Sequence, residues 1–260
     1  MKRFATTIAL TLIASTVLAH HAMEFIAMES YSTAKHGEYV FHLHYDYIVD
    51  DQNNPLADHW EFTPGLSYGI TDMLMLDIHT HFAKFGEDHI VDAERENYMS
   101  TGSSPFMEAA ALCLQYRIIE DWIIDIAFVA TIEVPFSRAN KLLGSEDNVY
   151  AGTLILSKSF GEHGNLCANF TYEEEGDEDS TTWAVGVKNP LSDDPHGIAG
   201  GVELLGDFDG DCWSVLPGIY APIGNDGIIF KTGLEFGQEK NETAGWTDTI
   251  RANVSMLYRF

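Results

Sequence analysis

From Tyr39 onward, apolar and polar residues alternate one by one. Tyr39, Phe41, Leu43, Tyr45 and Tyr47 fall on one side of an extended chain, and His42, His44 and Asp46 fall on the other. The next stretch repeats the pattern, with Trp60, Phe62, Pro64, Leu66, Tyr68 and Ile70 against His59, Glu61, Thr63, Gly65, Ser67 and Gly69. A third sets Leu74, Leu76, Ile78 and Phe82 against Asp77, His79 and His81. Near the end, Ile228, Phe230, Leu234 and Phe236 oppose Lys231, Gly233 and Glu235. A period of two is the signature of strands with two unlike faces. Cutting the chain at turn signals predicts about twelve of them, at 38–49, 58–70, 73–86, 105–119, 122–134, 148–160, 164–174, 180–189, 196–206, 211–221, 227–238 and 247–260. No long helical pattern intervenes.

The connections alternate in length. "GITDM", "IIED", "GEHG" and "PIGNDG" are short, whereas 50–57, 87–104, 135–147 and 239–246 are longer and polar. Short turns on one rim and long loops on the other are the habit of a transmembrane barrel. "NPLSDDPHG" breaks that alternation and reads as a loop. Pro64 and Pro217 lack a ladder donor and are expected at bulges or near strand ends.

A soluble sandwich would alternate too, so the decision rests on what each face carries. The apolar face puts Tyr39, Tyr47, Trp60, Tyr68, Trp122 and Tyr258 near strand ends, where an interfacial belt places amphipathic rings. The other face mixes charges with Gly, Ala, Ser and Thr, which suits a narrow lumen. The expected fold is therefore all-β, an antiparallel up-and-down transmembrane β-barrel spanning 38–260. A sheet in hydrocarbon has to close, because lipid cannot satisfy an open edge. The final strand, "RANVSMLYRF", resembles the C-terminal signature of bacterial outer-membrane barrels, with Tyr258 and Phe260 as the assembly signal read by the barrel-assembly machinery.

Ahead of the barrel, Lys2 and Arg3 precede the apolar run "FATTIALTLIASTV", which reads as an export signal over 1–19, cleaved to leave His20 first. Residues 20–37 would then be a periplasmic or plug segment. The net charge of −26 excludes nucleic acid as a partner, since phosphate binding needs clustered cations. Cys113, Cys167 and Cys212 follow no CxxC spacing and encode no disulfide framework.

The segment "HWEFTPGLSYGITDML" at 59–74, together with the terminal "LYRF", resembles the outer-membrane barrels of the phenol-degradation MetA-pathway family. The resemblance implies a barrel and the transport of a small hydrophobic or aromatic solute.

His42, His44, Asp46, His59, Glu61, Asp77, His79 and His81 share the inward face of three consecutive strands and are the candidate lumen and ligand residues. Imidazoles at i and i+2, with a third ligand from a neighbouring strand, suit copper, nickel or zinc, so His42, His44, His79 and His81 are candidate metal ligands. His20, beside a free α-amino group, is another. The plainer reading is a hydrogen-bonded polar interior that binds no metal. "DFDGD" at 207–211 lacks the Glu that completes a calcium loop, and it reads, like "EEEGDED" at 173–179, as an acidic solvated tip suited to cations that bridge lipopolysaccharide. No G-x-S-x-G, HExxH or phosphate-loop motif is present, and no catalysis is expected. The expected function is a channel or transporter for a small solute in the lipid of the bacterial outer membrane. Its alternatives are a metal-binding barrel and a plugged, non-conducting one.

Overall fold

In the computed structural model the alternating segments are twelve antiparallel strands: β1 (Tyr39–Val49), β2 (His59–Thr71), β3 (Leu74–Lys84), β4 (Phe106–Ile119), β5 (Asp125–Pro135), β6 (Val149–Phe160), β7 (Gly164–Glu175), β8 (Glu178–Pro190), β9 (Ala199–Asp207), β10 (Cys212–Ile223), β11 (Ile228–Asn241) and β12 (Gly245–Arg259). Each pairs with its neighbours in sequence, and β1 pairs with β12 to close the barrel. The structure describes residues 25–49, 58–84, 105–120, 123–136, 147–160, 164–192, 197–223, 227–241 and 245–260. The export signal, His20, Trp122 and the loops 50–57 and 87–104 lie outside the described residues.

The seam is stitched where the chain ends meet. Phe260 and Tyr39 exchange both backbone hydrogen bonds at 3.0 Å, and the pairing runs on from Val40–Arg259 to Val49–Ile250. Closure leaves no unpaired edge, the condition for a sheet in hydrocarbon. Tyr258, Phe260, Tyr39 and Tyr68 then cluster on the outer surface, with ring centroids 4.8–5.8 Å apart. Both residues expected to form the assembly signal thus point away from the lumen.

The two faces are as different as the alternation requires. Val202 and Leu204 are 39 % and 45 % exposed on either side of Glu203, which is 0 % exposed. Outward positions elsewhere carry Ile78, Leu112, Leu114, Phe128, Leu154, Phe170 and Leu234, all exposed. An apolar surface running round the whole sheet is built for acyl chains, not water. Inward positions carry small residues such as Ala83, Ala109, Ala111, Ala127 and Ala199, together with buried Asp46, Asp77, Gln115, Lys188, Glu203 and Lys231.

Three local expectations are corrected, and the connection between β8 and β9 keeps the loop expected at "NPLSDDPHG". "EEEGDED" is a tight hairpin, because Gly176 takes a left-handed φ of 59° that lets β7 turn directly into β8. The long loop expected at 239–246 shrinks as β11 extends to Asn241 and β12 begins at Gly245. "NPLSDDPHG" is pinched at its base by Leu191 N–H donating to Ile198 O at 2.9 Å. Pro64 and Pro217 stand inside β2 and β10, where pairing is kept with β1 and β9 but interrupted opposite β3 and β11. A barrel strand tolerates a missing donor when only one of its two ladders lapses.

The lipid-facing assignment predicts an asymmetric response to substitution. Leu154→Arg, at the middle of β6, should destabilise the barrel by roughly 2–4 kcal/mol, the cost of a guanidinium at the bilayer midplane. Thr153→Ser, one residue away but facing the lumen, should stay within about 0.5 kcal/mol. Urea unfolding from lipid vesicles, followed by tryptophan fluorescence, measures both, and equal costs at the two positions would contradict the assignment.

Candidate functional site

The inward histidines of β1, β2 and β3 each lie beside a carboxylate, and two of them share one. Asp77 is the centre: His42 Nε2 lies 2.7 Å from its Oδ2, Ser67 Oγ donates to the same oxygen at 2.6 Å, and His79 Nδ1 lies 2.6 Å from its Oδ1. The His42 ring lies over Gly65, where a Cβ would collide with it. Further along β1, His44 Nε2 pairs with Asp46 Oδ2 at 3.0 Å. His81 packs its ring 5.0 Å from that of His79 and lies between Thr63 and Glu133, with Nδ1 3.3 Å from Thr63 Oγ1 and Nε2 3.3 Å from Glu133 Oε2. His59 and Glu61, 3.7 Å apart, occupy the rim away from the chain termini.

The eight candidates therefore form a column of imidazole–carboxylate pairs rather than one focus. Residues two apart on one strand meet here, as Asp77 does with His79 and Asp46 with His44. His42, His44, His79 and His81 do not converge as a single set of four ligands. Among the described residues, one group of three metal-competent side chains does converge: Asp77, His79 and Cys113. Ser67, Asp77 and His42 hold the residue types of a hydrolase triad but in the wrong order. The serine donates to the carboxylate, whereas a triad serine must face the imidazole that takes its proton.

A second set of residues was not singled out by sequence reasoning. Residues 25–37 enter the barrel from the rim that carries the termini, and the wall is furnished to receive them. At the entrance, Thr33 Oγ1 donates to Asp72 O at 3.0 Å, and His36 N–H donates to Asp72 Oδ1 at 2.9 Å. Gly69 allows the Lys35 carbonyl to lie where a Cβ would otherwise be. Deeper in, Gln115 Nε2 donates to Ser30 O at 2.7 Å, and Asn169 Nδ2 donates to Glu29 O at 3.1 Å. The chain then turns back, and the Glu203 carboxylate accepts three successive backbone N–H groups, from Ile26 at 2.7 Å, Ala27 at 2.9 Å and Met28 at 3.1 Å. Tyr220 OH donates a fourth bond to it at 2.8 Å. Lys231 Nζ donates to Phe25 O at 2.7 Å, and the Phe25 ring lies against Gly186 with Lys188 Nζ 5.3 Å above its centroid.

This arrangement answers an accounting problem. A chain segment inside the barrel brings unpaired amides with it, and a buried unpaired amide costs about 1–3 kcal/mol. One carboxylate facing three N–H groups satisfies them together. The available sequence signal was the lone Glu203 and Lys188 on the inward face of otherwise small or apolar strands. It says that a partner is needed, not which one.

Among the described residues, cavities lie beside the segment. One, of about 420 Å³, lies between the segment and the wall of His42, His44, Asp46, Asp77, His79 and His81. Another, of about 530 Å³, reaches His59, Trp183, Glu235 and Gln238. Ala27, Met28, Glu29 and Arg251 line both.

No protein-family model matches the sequence, and no curated protein matches it. Solved structures do resemble the fold. The KdgM porin in complex with disordered oligogalacturonate aligns over 85% of this chain and 99% of its own, with a TM-score of 0.55 at 10% identity. The COG4313 outer membrane channel from Pseudomonas putida F1 aligns over 91% of this chain and 100% of its own, with a TM-score of 0.52 at 13% identity. The chain has the fold of bacterial outer-membrane barrels.

Proposed function

We propose that this protein is a channel for small solutes in the bacterial outer membrane, narrowed by its own N-terminal segment. The observation that carries this reading is that open space is left inside the barrel beside the segment, in two cavities that share Glu29 and Arg251 in their linings. Here the wall along the remaining space is imidazole and carboxylate, groups that replace part of a solute's hydration shell.

The chemistry of the mouth indicates the class of solute. Glu61, Glu108, Glu133, Glu173 and Glu175 lie towards the rim away from the termini on β2, β4, β5 and β7, and Glu61 and Glu133 both lie within electrostatic reach of Glu108. Lys188 and Lys231 are turned to the N-terminal segment instead. The entrance accordingly favours small cationic or polar solutes. A hydrophobic or aromatic solute, and membership of the MetA-pathway family, rest on the resemblance of the 59–74 hairpin.

Conductance across planar bilayers tests the channel. Refolded protein lacking residues 20–37 should conduct several-fold more than the full chain. Glu203→Gln should give a larger and noisier current, because an amide nitrogen would face backbone donors that now meet a carboxylate oxygen. Loss of each such charged hydrogen bond is worth about 1.5–3 kcal/mol. An unchanged current in both variants would sink the narrowing role, and no current in any of them would sink the channel.

Ion preference is a separate measurement. Under a KCl gradient the reversal potential should carry the sign of K⁺ permeation. Changing Glu61, Glu108, Glu133 and Glu173 together to Gln should move it towards zero. Anion preference in the unmodified protein would contradict the proposed solute class.

A further inference from the structure

The channel reading leaves one feature of the wall unused. Asp77 on β3 and Cys113 on β4 are directly opposite partners in the ladder, both inward, and His79 stands two residues along from Asp77 on the same face. One ligand atom from each lies within 4.8 Å of the other two. A carboxylate, an imidazole and a thiol from two adjacent strands form a different constellation from the histidines that the HxH spacing suggests.

We infer that Asp77, His79 and Cys113 form a binding site for a single Zn²⁺ ion on the lumen wall. The ligand set is the argument for the metal. Thiolate and imidazole together favour zinc over calcium or magnesium, and zinc accepts a carboxylate as a third ligand. Metal–ligand bonds of about 2.0–2.3 Å place tetrahedral ligands about 3.5 Å apart, so groups within 4.8 Å of one another close by about 1.3 Å at most, while Asp77 Oδ1 and His79 Nδ1, now hydrogen-bonded at 2.6 Å, move apart to share the ion. The Zn–S bond forms as the Cys113 S–H bond breaks, the proton passing to solvent, and the hydrogen bond between His79 and Asp77 Oδ1 gives way to bonds from both groups to the ion.

The groups behind the ligands are already in place. Asp77 Oδ2 is held by Ser67 Oγ at 2.6 Å and by His42 Nε2 at 2.7 Å, which fixes the carboxylate and leaves Oδ1 turned to His79. Thr131 Oγ1 donates to Cys113 Sγ at 3.3 Å from the next strand, β5. Outer partners of this kind orient metal ligands, and losing one commonly costs 10–100-fold in affinity. All three ligands line the 420 Å³ cavity, which supplies an entry path and room for a water or a solute group at the fourth position. Three protein ligands with one open position is the coordination of an ion that meets a solute, not of one that only braces the fold.

Cobalt substitution tests the site in detergent without reference to conductance, so its outcome is independent of the channel reading. One equivalent of Co²⁺ added to chelator-treated protein should produce a thiolate-to-cobalt charge-transfer band and the strong visible absorption of a tetrahedral ion, and Zn²⁺ should displace it. Cys113→Ser should abolish the charge-transfer band. His79→Ala, Asp77→Asn and Ser67→Ala should each weaken Co²⁺ binding by tenfold or more. The double variant Cys167→Ser with Cys212→Ser keeps Cys113 as its sole thiol and should retain the band, which guards against a Cys113→Ser protein that fails to fold. Absence of the band from the unmodified protein would overturn the site. So would its loss from the double variant, its survival in a folded Cys113→Ser protein, or unchanged affinity in both His79→Ala and Asp77→Asn.

Discussion

Every backbone amide of a sheet in hydrocarbon must find a partner within the sheet, and the rest of this structure follows from that demand. The exchange of hydrogen bonds between Tyr39 and Phe260 turns an open ribbon into a closed one. Once closed, the wall has an outside that only lipid can wet and an inside that must take every polar group. Twelve strands enclose more space than their small inward residues can fill. The N-terminal segment occupies part of that space, and the same accounting applies again inside the lumen. Glu203, Asn169, Gln115 and Lys231 are spaced along the wall to satisfy a backbone that has no strand of its own to pair with.

The wall is functionally lopsided. From β7 to β11 the inward side chains Asn169, Lys188, Glu203, Tyr220 and Lys231 are engaged with the segment. From β1 to β3 the inward side chains pair with one another and face free space, as His42, Asp77 and His79 do. The side chains of β7 to β11 hold the inner part of the segment, and the histidine wall lines the space left beside it. A polar group turned towards the segment is committed to it. A polar group across the cavity can exchange its partner for a solute at little net cost, because imidazole and carboxylate both recover hydrogen bonds to water.

Much of this was legible in the sequence, and the reason is the strictness of the two-residue period. Tyr39 to Tyr47 facing lipid and His42 to Asp46 facing inward could be read without a structure, because a slip of one residue would put imidazoles in hydrocarbon. The failures were local. The charge of "EEEGDED" reads as a solvated tip, but the residue that decides its shape is Gly176, whose left-handed backbone makes the tight turn that the flanking carboxylates merely border. Pro64 and Pro217 were expected near irregularities on the strength of a missing donor, yet each strand has two ladders and loses pairing in only one. The partners were not legible at all. His42 meets Asp77 because of how β1, β2 and β3 are registered, and the β2–β3 register shifts at a bulge near Gly69 that no periodicity announces. Glu203 meets Ile26 across most of the chain, a contact that depends on the segment entering the barrel.

The same distinction explains why Cys113 escapes attention in the sequence and matters in the structure. As one of three scattered thiols it carries no motif, since metal motifs on helices and turns are written as spacings along the chain. On a barrel wall the ligands of one site come from adjacent strands, so the relevant spacing runs across the ladder. Asp77 and Cys113 are far apart in sequence and face each other because an 84–106 connection brings β4 back alongside β3. Alternation assigns each residue to a side of the wall, and register alone decides which inward residues become neighbours. A chain of this kind therefore declares its fold through its period and conceals its sites in its pairing.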